Sequence, residues 1–254
     1  MKKLAILTGH SRGLGAALVQ DLLAQGCSVI GLSRRPVAEP AHEAVHSGIR
    51  FDQIAVDLAD LARLEQLLAD DCLGKPVREA DQVVLINNAG LLSPVGLVGE
   101  QSPTQIAQTV AVNVGAVLML TNWFVQASQG CSDRRVVQIS SGAARSAYAG
   151  WSVYCATKAA LDHHARCLAL ESEEPGGPAS GLRICSLAPG VIDTDMQAQV
   201  RASELSAFPM RPKFDELKAS GSLASPEGVA QRLCKHLFSD GFGKDPVADL
   251  RSIG

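Results

Sequence analysis

The chain has 254 residues, 46% of them hydrophobic and 19% charged, and 23 lysines and arginines face 26 aspartates and glutamates for a net charge of −3. That apolar share suffices for a core and excludes a disordered chain, and the slight acidity excludes a broad basic field for a nucleic-acid backbone. Seven cysteines at 27, 72, 131, 155, 167, 185 and 234 form no C-x-x-C pair. An odd, scattered set is neither a disulfide framework nor a zinc site, and no metal site is expected; reduced thiols point to a cytoplasmic protein. The apolar run after Lys2-Lys3 stops at Thr8-Gly9-His10, too short for a signal peptide. No apolar stretch is expected to reach the ~20 residues of a membrane span, so neither membrane nor nucleic acid is an expected partner. One domain over 1–254 is the simplest organisation.

Apolar periodicity predicts a strand over 4–8, then a helix over 13–25 with Leu14, Ala17, Leu18 and Leu22 at helical spacing, ended by Gly26. Strands follow over 27–32 and 51–56, a helix over 61–68, and a strand over 83–86. A long helix is predicted over 103–127, with Pro103 suited to its first turn, and a strand over 135–139. Another long helix covers 151–170 and a strand 182–187. Ser225 caps a last helix running to about 238, with Pro226 at its first position. Strands alternating with helices predict an α/β fold: a doubly wound, Rossmann-type domain with a parallel sheet of about seven strands and helices on both faces. Ligands of such sheets bind beyond the carboxyl ends of the strands. The polar turn at 173–180 interrupts this pattern. So does the long segment 191–224, with amphipathic pieces near 196–205 and 214–217, which reads as a substrate loop.

After the first strand comes Thr8-Gly9-His10-Ser11-Arg12-Gly13-Leu14-Gly15. Glycines at 9, 13 and 15 permit a tight turn and close backbone approach to a pyrophosphate, and the following helix offers it unpaired N–H groups. The pattern T-G-x-x-x-G-x-G resembles the short-chain dehydrogenase/reductase family. The family's other marks follow in order: Asn87-Asn88-Ala89-Gly90 after the fourth strand, Asn113, Ser140-Ser141-Gly142, Tyr154-x-x-x-Lys158, Pro189-Gly190 and Thr194. Taken singly, each has a bland reading: a packed ring beside a solvated amine, serines capping a strand, an asparagine bonded to neighbouring backbone.

The resemblance implies Asn113, Ser141, Tyr154 and Lys158 as the catalytic residues. Carbonyl reduction needs a hydride on carbon and a proton on oxygen, so Tyr154 is the candidate acid. Lys158, one helical turn later, is expected to lower its pKa and to bond the nicotinamide ribose. Ser141 donates to the carbonyl oxygen, and Asn113 positions water in a proton relay. For the cofactor, the resemblance implies contacts from Gly9, Ser11, Arg12, Gly13, Leu14 and Gly15, from Asn88, Ala89 and Gly90, and from Pro189, Gly190, Val191, Ile192, Thr194 and Met196, besides Tyr154 and Lys158. Asp57 and Leu58 match its adenine-contact position, with Asp57 as a plain helix N-cap the alternative. No acid ends the second strand, which runs into Ser33-Arg34-Arg35. Arginine suits a 2′-phosphate, so NADP(H) is expected, clamped by Arg34 and Arg12 with Ser33 assisting.

Asp193-Thr194-Asp195-Met196-Gln197 resembles more narrowly the branch of sepiapterin reductases and bacterial benzil reductases. This implies an NADPH-dependent reductase of a small-molecule ketone or vicinal diketone, with sepiapterin reduction the alternative enzyme and an NADP-binding redox sensor the alternative without turnover. Ser141, Trp151, Tyr154 and Met196 are the expected substrate contacts, with Leu91 and Leu92 in an apolar wall. Asp249 matches the aspartate that anchors a pterin ring in the sepiapterin enzymes. A homodimer or homotetramer built through helices 103–127 and 151–170 is implied as well.

Overall fold

The computed structural model describes residues 1–37 and 48–253. Seven strands are present: β1 (Lys3–Thr8), β2 (Cys27–Ser33), β3 (Phe51–Ala55), β4 (Gln82–Asn87), β5 (Asp133–Ile139), β6 (Arg183–Ala188) and β7 (Val247–Asp249). All pair in parallel, in the order β3-β2-β1-β4-β5-β6-β7. The doubly wound fold expected from the alternation of strands and helices is what forms.

The five inner strands bury both faces, because successive side chains point to opposite sides of the sheet, while the edge strands β3 and β7 stay partly exposed. Leu4, Ile6, Val83 and Leu85 join one core with α2 (Leu61–Ala69), α3 (Asp71–Arg78), α5 (Ala116–Ala127) and α6 (Ser152–Glu173). Ala5, Leu7, Val84 and Ile86 join the other with α1 (Gly13–Ala24) and α9 (Pro226–Leu237). Helix starts follow the sequence. Asp60 caps α2 by accepting from the Arg63 N–H at 2.9 Å, and Ser225 caps α9 by accepting from the Gly228 N–H at 3.1 Å.

Two elements depart from expectation. Helix α3 follows α2 almost directly, restarted by Asp70, whose carboxylate accepts from the Cys72 N–H at 3.2 Å. The helix expected over 103–127 is α4 (Pro103–Val110), a π-helical turn (Ala111–Gly115) and then α5. By length and composition the run Pro103–Ala127 does reach the size of a membrane span, contrary to the sequence expectation. Here its Ala116, Val117, Leu120 and Phe124 are buried in the core beside β4.

The segment between β6 and α9 folds into α7 (Asp195–Arg201) and α8 (Arg211–Ala219). Its two ends are joined by a parallel bridge between Ile192 and Ala224, and the Lys218 amine reaches Asp193 at 2.6 Å. A third apolar cluster seats the segment: Val200, Phe208 and Phe214 pack with Leu92, Trp151 and Tyr154.

Phe124 is fully buried where α5 meets the sheet. Phe124→Ala is expected to cost about 3–5 kcal/mol of stability, with an unchanged denaturant slope, as measured by urea unfolding.

Candidate active site

The sheet's winding reverses between β1 and β4, whose chains leave in opposite directions, and this opens a crevice at their carboxyl ends. Thr8 and Asn88 link the two sides. The Thr8 hydroxyl accepts from the backbone N–H of Asn88 at 2.9 Å and of Ala89 at 3.0 Å. The Asn88 side-chain amide donates to the carbonyls of Thr8 at 2.9 Å and Gly9 at 3.1 Å.

The glycine-rich turn fits beneath. Gly9 has a φ of 70°, and a Cβ there would sit 3.0 Å from the Ala89 Cα; a Cβ on Gly15 would collide with the Gly9 carbonyl oxygen. Only glycine lets the backbone pass so closely. No side chain caps α1, so its first N–H groups face the crevice available for an anion. The turn therefore meets the geometric requirements of a pyrophosphate cradle.

A cavity of about 680 Å³ runs from this turn to α8. Every site residue expected from sequence lines it except Asn113 and Asp249. At one end stand Ser33, Arg34, Asp57 and Leu58. The Ser33 hydroxyl donates to the Arg35 carbonyl at 2.7 Å and lies 3.3 Å from buried His10 Nε2, which contacts the Gln53 side-chain oxygen at 3.0 Å. Gln53 in turn exchanges hydrogen bonds with the Val37 backbone, at 2.8 Å and 3.0 Å, and so fixes the chain just beyond the arginines. Asp57 accepts from the Ala59 N–H at 3.0 Å but does not cap α2; Asp60 does. Exposed Arg12 reaches across to Asp195 at 3.1 Å.

At the centre, Ser141, Tyr154 and Lys158 converge. Ser141 leaves β5 in extended conformation, and its hydroxyl accepts from the Ala143 N–H at 3.1 Å and lowers the pKa of the Tyr154 phenol beside it. Tyr154 and Lys158 project from one face of α6, with the amine 5.7 Å from the ring centroid. The amine also donates to the Ile139 carbonyl at 2.7 Å. Burial pushes the Tyr154 phenol up from its ordinary value, and the Ser141 hydroxyl opposes this only in part. Burial also pulls the Lys158 amine down to about 8, with Asp162 acting in the opposite sense. With no cofactor bound, burial is the largest influence on the phenol.

Asn113 sits on the π-helical turn, fully buried. Its side chain accepts from the Leu91 N–H at 2.7 Å and donates to the Leu91 carbonyl at 2.8 Å and the Thr157 hydroxyl at 3.1 Å. All three contacts are within the protein, and they brace the loop after β4 against α6.

Beyond Tyr154 the cavity is aromatic. Trp151 stacks on Phe208 with centroids 4.4 Å apart and stands edge-on to Tyr154 at 5.6 Å; Tyr148 and Phe214 complete the wall. Met196, Leu91 and Leu92 line it too. Asp249 does not. It grips Arg251 through two contacts, at 2.9 Å and 2.6 Å, and it is Arg251 that faces the cavity. That pairing holds the Asp249 carboxyl below its ordinary range. Asp249 is thus paired with Arg251 rather than placed among the residues that line the cavity.

Sequence reasoning missed Tyr148, Lys213, Phe214 and Arg251. Only the amphipathic pattern near 214–217 signalled any of them. His163 is exposed and His164 meets the Gln138 amide at 2.8 Å. Among the described residues no group of three His, Cys, Asp or Glu is placed to hold a metal.

A doubly wound sheet with a glycine cradle at its switch point and a Ser-Tyr-Lys cluster beside it defines a nicotinamide-dinucleotide oxidoreductase. The model of the short chain dehydrogenase family matches residues 3–205, and the chain belongs to that family. It is 34% identical to a benzil reductase ((S)-benzoin forming) of Bacillus cereus, over 95% of this chain and 96% of that one. To the sepiapterin reductase of Bos taurus it is 37% identical, over 95% and 91%. A solved short-chain dehydrogenase/reductase from Burkholderia vietnamiensis is 40% identical over both whole chains, with a TM-score of 0.65. A putative NAD(P)-dependent gluconate 5-dehydrogenase from Beutenbergia cavernae, solved with bound NADP, is 26% identical over 98% of this chain and 94% of that one, with a TM-score of 0.80.

Proposed function

We propose that this protein is an NADPH-dependent carbonyl reductase acting on ketones or vicinal diketones of the benzil kind. The observation that carries the reading is the convergence of Ser141, buried Tyr154 and Lys158 on one cavity, between the phosphate cradle and an aromatic pocket. When bound, the reduced cofactor supplies hydride to the carbonyl carbon. Tyr154 gives its proton to the carbonyl oxygen, and burial favours the protonated form that this donation needs. Ser141 donates to the same oxygen as negative charge builds there. The charged Lys158 amine stabilises the phenolate left behind and would hold the nicotinamide ribose when the cofactor is bound. Asn113 acts indirectly, by fixing Leu91 and the loop that closes over Lys158.

NADPH is favoured over NADH by Arg34, which ends β2 where NAD enzymes place an acid, and which has no carboxylate partner among the described residues. Thr194 and the backbone after β6 would hold the carboxamide, and the segment 191–224 serves as substrate loop within one domain. The pterin alternative loses support because Asp249 is occupied by Arg251. A homodimer or homotetramer built on the helices of residues 103–127 and 152–173 is supported by the exposed Val110, Leu118 and Leu170 they carry.

The test is NADPH oxidation with benzil and sepiapterin in parallel, and NADH as the control cofactor. Turnover of benzil with NADPH is expected; turnover of sepiapterin alone would reverse the order of the two readings. Tyr154→Phe is expected to lower kcat by roughly 100-fold or more while leaving NADPH affinity nearly unchanged by fluorescence titration; near-normal turnover would remove the acid assignment. Arg34→Ala is expected to weaken NADPH by about tenfold or more and NADH hardly at all, since one charge-assisted contact to the phosphate is lost.

A further inference from the structure

Asp162 lies one helical turn beyond Lys158 and two beyond Tyr154, on the same face of α6. Only 3% of it is exposed, and nothing in the mechanism above uses it. A buried carboxylate is unfavourable unless it is paired and hydrogen-bonded. Its partners come from outside α6. One oxygen accepts from the Ser140 hydroxyl at 2.7 Å and the Ser186 hydroxyl at 2.8 Å. The other accepts from Arg145 Nε at 2.9 Å. Ser140 directly precedes Ser141, Ser186 belongs to β6, and Arg145 also donates to the Ala248 carbonyl of β7 at 3.1 Å. Lys158 is equally buried, at 4% exposed, and no carboxylate pairs with it within ion-pair distance among the described residues. Asp162 is the negative group that its amine senses.

We propose that Asp162 is a positioning residue of the proton-transfer site: its charge keeps Lys158 an ammonium ion, and its serine contacts fix the end of β5 from which Ser141 projects. The effect on turnover rests on the reductase reading; the effect on Lys158 does not.

The charged and titratable groups around the amine are few. Tyr154 and Asp162 share its helix, Arg145 stands behind Asp162 from the connection between β5 and α6, and Cys185, next to Ser186 on β6, packs on the opposite face of the sheet. Cys185 is pushed up to about 12 by burial and stays neutral over the relevant range. Lys158, held down to about 8 by burial, is charged below that pH and loses its charge above it. Asp162 and Arg145 therefore act on it with opposite signs.

The experiment compares Asp162→Asn and Arg145→Gln with the unmodified protein. Lysine side-chain carbon NMR of the cofactor-free protein, with Lys158 assigned through Lys158→Arg, gives its titration midpoint. The pH profile of kcat/KM for benzil gives the functional consequence, and thermal unfolding reports the fold. Asp162→Asn keeps the shape and an acceptor for the serines; it is expected to lower the Lys158 midpoint by about one pH unit and to move the alkaline fall in activity with it. Arg145→Gln keeps the carboxylate and is expected to move both upward. A purely structural role predicts losses of the same sign at every pH in both variants. An unmoved midpoint, or shifts in the same direction, would overturn the proposal. Should Asp162→Asn fail to fold, a downward or absent shift in Arg145→Gln overturns it alone. If benzil is not turned over, the NMR midpoints still decide the electrostatic role, and only the reductase reading falls.

Discussion

The site depends on the exchange of hydrogen bonds between Thr8 and Asn88. These residues end neighbouring strands whose chains diverge, and a parallel sheet has no other bond at that point to hold the parted loops in register. One hydroxyl accepting two backbone N–H groups, and one amide donating to two backbone carbonyls, satisfy four groups that the divergence would otherwise leave exposed at the crevice floor. The glycine turn can then lie against Ala89 and Asn88 at contact distance, and α1 points its uncapped N-terminus into the opening. The phosphate cradle thus follows from where the sheet reverses. The catalytic cluster follows too, because β5 and β6, next in order, bring Ser141 and Pro189 to the same edge.

Within that crevice burial decides protonation. Removing solvent disfavours charge on both members of the pair, so the phenol of Tyr154 rises and the amine of Lys158 falls to about 8. In the proposed reduction, a phenol that stays protonated is ready to give a proton to a carbonyl. The two shifts also create a difficulty, because the lysine charge that stabilises the resulting phenolate is near its limit at neutral pH. A second buried charge on the same helix face, tied to Arg145 and two serines, answers that difficulty.

What could be read from sequence was what local periodicity and local turn chemistry encode. Continuous apolar runs in 4–8 and 83–86 gave strands buried on both faces, and glycines at 9, 13 and 15 placed the cradle where it lies. The illegible parts depend on partners far along the chain. The π-helical turn at 111–115 leaves the apolar period of 103–127 unbroken, so it does not show; it places Asn113 so that its amide meets Leu91 and Thr157. Helix α3 carries Pro76 and follows its neighbour without a loop, so neither period nor punctuation announced it. The fate of Asp162 required knowing that Ser140, Ser186 and Arg145 converge on it from sites 17 to 24 residues away.

The same distinction bears on substrate. A carboxylate that anchors an amino-pyrimidine ring must offer its oxygens to the ring's N–H groups. In this chain both oxygens of Asp249 accept from the Arg251 guanidinium, and one also accepts from the Arg251 backbone N–H at 2.9 Å. A pterin would have to displace a paired guanidinium, whose fork geometry matches a carboxylate better than two neutral donors do. What the cavity presents instead is Arg251 above Gly190 and the aromatic faces of Tyr148, Trp151 and Phe214. Such a wall suits flat apolar groups, as the proposed aromatic-diketone substrate would present on either side of its carbonyls. The residue that resembles a pterin anchor in sequence is thus, in the fold, the support that aims a cation at the pocket.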